Sequence, residues 1–112
     1  MKQTCIFLFL FALPSITSGK DATLSFVKQY CVSCHSEETE TSLNVEALSE
    51  NLTQAESFGS WVKIFDRIAA GEMPPQDAEQ PNPERVEYLL KSLRRQLIAA
   101  NDLRQKQIGR VP

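Results

Sequence analysis

Cys31-Val32-Ser33-Cys34-His35 is the stretch of this chain whose residue types and spacing specify a chemistry. C-x-x-C followed directly by histidine is the attachment pattern of a c-type haem. Two thiols add across the two porphyrin vinyl groups, and two intervening residues on a helical turn set them at the vinyl spacing. The imidazole of the next residue then falls beneath the iron as proximal ligand. His35 is also the only histidine in the sequence.

Other chemistries use parts of this pattern. A thioredoxin-like dithiol also carries C-x-x-C, but in a βαβ context. The flanks here read as helical, and no β-rich run follows. A zinc site takes four ligands, commonly Cys and His. Beyond the first twenty residues the chain holds two cysteines and one histidine, which leaves that set one short. A chance match is the third rival.

With a haem in place, Met73 is the candidate for the second axial position. It lies 38 residues after His35, in Gly71-Glu72-Met73-Pro74-Pro75. Two prolines stiffen that loop. A thioether is soft and neutral, and opposite histidine it raises the reduction potential. The only other methionine is Met1. Lys63 is the nearest substitute, but a lysine must lose its proton to bind.

The elements that must position these groups read as helices. Leu24, Val27 and Cys31, with Phe26 and Tyr30 beside them, predict a helix from Ala22 to Ser33, capped by Asp21 or Thr23. Ser36 to Ser42 is polar and acidic and reads as a solvated loop. Leu43 and Leu48 turn inward around a short helix from Val45 to Ser49. Trp61, Ile64, Phe65 and Ile68 form one apolar stripe on a helix from Glu56 to Ala70, and Gly71 stops it. The indole N–H of Trp61 has two available roles, a haem propionate or a protein acceptor. Asn82-Pro83 reads as cap and first residue of a helix to Gln105. Val86, Leu90, Leu93, Leu97 and Ala100 make its inner face, which should pack on the first helix. Arg94, Arg95, Arg104 and Lys106 suit its C-terminal half and read as a solvated face rather than a docking patch. No strand or internal repeat is evident.

The totals agree with a small exported domain. The chain has 112 residues, room for one domain, and a net charge of −2 that offers no basic footprint for nucleic acid. Met1 to Gly19 has the outline of a secretory signal: Lys2, then nine apolar residues from Cys5 to Leu13, then Pro14 and small residues. A membrane span needs about 20, so cleavage is expected, after Gly19 or alternatively Ser18 or Ala22. It removes Cys5 and leaves a net charge of −3. Export fits covalent haem attachment, which takes place outside the bacterial cytoplasm.

Taken together, the chain resembles class I cytochromes c and, more closely, the planctomycete-type cytochrome c domain. The resemblance rests on Y-C-V-S-C-H (30–35), L-N-V-E-A-L (43–48), W-V-K-I-F-D-R-I (61–68), G-E-M-P-P (71–75) and G-R-V-P (109–112). The resemblance implies a small all-α cytochrome c-like fold of three to five helices around one covalent haem. Cys31 and Cys34 would be thioether sites, with His35 and Met73 as axial iron ligands. Residues 1–19 would be the signal, 20–107 the cytochrome domain and 108–112 a tail. In that family the module usually opens a longer secreted protein; here it is either such a piece or a stand-alone module. One departure stands out. Many class I cytochromes hold the proximal histidine N–H on the carbonyl of a proline soon after the motif, and residues 36–42 contain no proline.

The leading expectation is a periplasmic electron carrier, not itself an enzyme, exchanging electrons with a protein partner and having no stable membrane span after cleavage. The alternative is the haem domain of an oxidoreductase or gas-reacting site with an open sixth position. A non-haem dithiol or binding module is the third reading.

Overall fold

A computed structural model of the chain describes residues 10–13, 19–39 and 41–108. Among them the fold is all-α: α1 (Gly19–Tyr30), α2 (Ala55–Ala69) and α3 (Pro83–Ile108), with no strand. The expected signal segment lies outside the described residues except for 10–13 and Gly19. Leu10, Phe11 and Leu13 are exposed, away from the helical core. The G-R-V-P stretch also lies outside. Among the described residues no helix is long and apolar enough to cross a membrane.

α3 is the support for the other two helices. α1 and α2 each pack against it, while among the described residues the α1 and α2 backbones do not approach each other. Side chains from all three meet in one core of Phe26, Val27, Val45, Trp61, Ile64, Ile68, Leu89, Leu93 and Leu97. The expected pairing of first and last helices is present, with Phe26 and Val27 more deeply buried than Leu24.

α1 differs from the expected Ala22–Ser33 at both ends. It starts at Gly19, where the missing Cβ permits close approach to α3; a Cβ there would stand 2.0 Å from Ser92 Oγ. Thr23 is therefore inside the helix, not its cap, and its hydroxyl donates to the Gly19 carbonyl at 2.9 Å. The helix ends at Tyr30 because the Val27 carbonyl takes both the Cys31 and Val32 N–H groups, at 3.0 and 3.2 Å.

The short helix expected over Val45–Ser49 does not form. Asn44 Oδ1 accepts the N–H groups of Glu46 and Ala47 at 3.0 and 3.3 Å, which closes a single turn that does not continue as a helix. Leu43 and Leu48 do turn inward, and Val45 is buried between them.

α2 matches its expected bounds within one residue, with Trp61, Ile64 and Ile68 buried and Lys63, Asp66 and Arg67 exposed. Gly71 has φ 73°. Its N–H bonds the Ile68 carbonyl and the Glu72 N–H bonds the Arg67 carbonyl, both at 3.0 Å. That pair of bonds is a Schellman cap. At the start of α3, Asn82 Oδ1 accepts the Arg85 N–H at 2.7 Å, with Pro83 as first residue. α3 runs past Gln105 to Ile108.

Candidate functional site

The C-V-S-C-H stretch forms a turn of its own just beyond α1. The Cys31 carbonyl accepts the N–H groups of Cys34 at 3.2 Å and His35 at 2.9 Å. Both thiols are free. Cys31 is partly buried and packs on the core, while Cys34 is exposed. Burial, and secondarily the charge of a Cys34 thiolate, push the Cys31 thiol from 9.0 up to about 11. Among the described residues no three His, Cys, Asp or Glu side chains gather as a metal cage.

His35 is held from the loop behind it. Its Nδ1 lies 3.0 Å from Thr41 Oγ1, and its carbonyl accepts the Val45 N–H at 2.9 Å. That backbone bond closes the base of the segment between them. Thr39 braces it, donating to the Ser36 carbonyl at 2.9 Å. Instead of a plain solvated loop, the stretch after His35 holds Thr41 against the imidazole, a contact not foreseen from the sequence. The signal was there in the hydroxyl-rich S-E-E-T-E-T-S following directly on the only histidine.

Met73 stands on a separate segment. Its N–H bonds the Arg67 carbonyl at 3.3 Å, so its backbone is fixed to the end of α2, and the Met73–Pro74 peptide is cis. The side chain is 40% exposed and lies outside the packed core. The rest of that loop wraps Gln80, whose amide donates to the Pro74 carbonyl at 3.2 Å.

That loop is tied to the helix carrying the motif. Gln29, two residues before Cys31, donates to Glu79 Oε1 at 3.4 Å and accepts from Arg85. Arg85 also reaches Tyr30 Oη and Ser25 Oγ, each at 3.3 Å. Its guanidinium lies over the rings of Phe26 and Tyr30, 5.7 and 5.1 Å from their centroids. The end of α1, the Met73 loop and the first turn of α3 are therefore joined. This junction was not foreseen, because its members are spread over sixty residues. The Phe26 and Tyr30 rings are tilted against each other at 4.8 Å. The Trp61 indole N–H donates to the Ser49 carbonyl, the protein-acceptor role of the two left open.

The chemistry of the donor set suits a covalently attached haem. Two free thiols share one turn with an imidazole that is engaged through Nδ1, so Nε2 would be the nitrogen to hold an iron.

In comparison with known proteins, no family model matches the chain, and neither curated proteins nor solved structures show a similar one.

Proposed function

We propose that the chain is a mono-haem c-type cytochrome module with a cytochrome c-like fold, exported to the periplasm, that passes electrons to or from a protein partner. The observation that carries this reading is the turn closed by the His35 N–H on the Cys31 carbonyl. It groups two free thiols and an imidazole at the end of one helix, as covalent attachment requires. Cys31 and Cys34 form the two thioethers, and His35 ligates through Nε2. A bound haem supplies one-electron chemistry between ferric and ferrous iron. Cys31, partly buried, would hold the group from the core side of the turn. Met73 would be a second iron ligand, carried on a loop tied to α1 through Gln29 and Glu79.

A pyridine haemochrome spectrum of the exported protein tests this reading. The expected result is the spectrum of haem with both vinyls saturated, and colour that stays with the protein in acid–acetone. Haem that partitions into the organic phase overturns the thioether assignment.

A specific observation favours a second reading. The Met73 side chain is 40% exposed and unpacked, which suits a haem domain with an open sixth position. Ligation by Met73 predicts a weak far-red sulfur-to-iron band in the oxidised protein, lost in Met73→Ala. Ready carbon monoxide binding by the wild-type ferrous protein, with no such band, moves the assignment to the open site.

A further inference from the structure

The polar groups around Thr41 bear on which nitrogen of His35 carries the proton. Thr41 Oγ1 has four polar neighbours. They are the Cys34 carbonyl at 3.0 Å, the Leu43 carbonyl at 3.2 Å, Thr39 Oγ1 at 3.3 Å and His35 Nδ1 at 3.0 Å. The two carbonyls only accept. The Thr39 hydroxyl already gives its proton to the Ser36 carbonyl at 2.9 Å. A hydroxyl has one proton to give and lone pairs to fill. With the Thr41 proton given to one of the two carbonyls, the neighbour left to donate in return is Nδ1–H of His35. From this we infer that Thr41 is the positioning residue of the proximal histidine, fixing its Nδ1–H tautomer and ring direction so that the Nε2 lone pair faces the ligand side.

This inference rests on the haem reading for its consequence, though not for its geometry. A side-chain hydroxyl takes the place of the proline carbonyl that residues 36–42 lack. The Cys34 carbonyl, inside the attachment motif, orients that hydroxyl, so one network sets both thioether backbone and imidazole. An acceptor on Nδ1–H raises the basicity of the ligating nitrogen and so favours ferric iron. Removing the acceptor should raise the reduction potential.

The test compares wild type with Thr41→Val, which keeps shape but loses the hydroxyl, and Thr41→Ser, which keeps it. Long-range proton–nitrogen NMR reads the tautomer directly, because the chain has one histidine. At alkaline pH, wild type and Thr41→Ser should show Nδ1 protonated with slowed exchange. Thr41→Val should exchange about tenfold faster, as loss of one hydrogen bond implies. In haem-bearing protein the potential should rise in Thr41→Val and stay near wild type in Thr41→Ser. An Nε2–H tautomer in wild type, or equal behaviour of the two variants, overturns the inference. Protein that comes without covalent haem overturns the proposed function instead, and the tautomer measurement still decides the role of Thr41.

Discussion

The indole N–H of Trp61 donates to the backbone carbonyl of Ser49 over 3.1 Å. Trp61 belongs to α2 and is 4% exposed, while Ser49 lies in the irregular stretch that carries Leu43, Val45 and Leu48. One bond thus fastens that stretch to a helix. Trp61→Phe keeps an aromatic ring there and removes the donor. The stranded carbonyl should cost about 1–3 kcal/mol, read as a lower midpoint with unchanged slope in a urea titration.

Leu93 is 1% exposed and sits on the face of α3 that bears the other helices. Leu93→Ala should lose about 2–5 kcal/mol, since it removes burial and leaves a cavity. Leu103, exposed on the same helix, provides the control. Leu103→Ala should stay within about 0.5 kcal/mol, and matched denaturant titrations separate the two.

Gly71 has open space where a Cβ would point, and its φ is 73°. Gly71→Ala therefore meets no clash, and its cost is conformational, about 1–2 kcal/mol for an L-residue held in the left-handed region. Gly71→Asn should recover part of that, because asparagine tolerates the region better. Thermal unfolding of the three proteins should rank them Gly, Asn, Ala.

In the free chain the Cys31 thiol is pushed from 9.0 up to about 11, by burial first and by Cys34 second. A raised value means the fold favours the protonated thiol. Between about pH 9 and pH 11 the native chain keeps a proton that the unfolded chain has released. This contribution is complete below pH 9 and is lost as pH rises through 11. Stability of the haem-free chain minus that of Cys31→Ala should therefore fall across that interval. A thioether has no proton to lose, so the haem-bearing protein should lack this dependence. At pH 9 iodoacetamide should modify Cys34 well before Cys31.

What was legible in the sequence is what local chemistry decides. The stripe Trp61, Ile64, Ile68 and the glycine after it delimit α2, and Asn82-Pro83 opens α3. The start of α1 was not legible, because it depends on Gly19 lying against Ser92, a contact across seventy residues. The stretch from Val45 to Ser49 was expected to be a short helix, but only one turn closes there, held by the Asn44 side chain. The motif was legible by its residue types, while Thr41 was not. The loop that brings Thr41 to His35 is closed by a backbone bond, His35 to Val45, that no periodicity announces. Met73 was singled out by chemistry alone, and the Gln29–Glu79 link that ties its loop to α1 came only with the fold.

The support on which α1 and α2 both rest is also the last of the three helices to be synthesised. Until Leu89, Leu93 and Leu97 have been made, neither earlier helix has a partner face, and short amphipathic helices gain most of their stability from such a face. During that interval Cys31 lacks the burial that later raises its thiol, and both cysteines stand open to modification. Docking of α3 ends the interval. That docking thus decides how far Cys31 is closed to reagents, while Cys34 stays exposed in the folded chain.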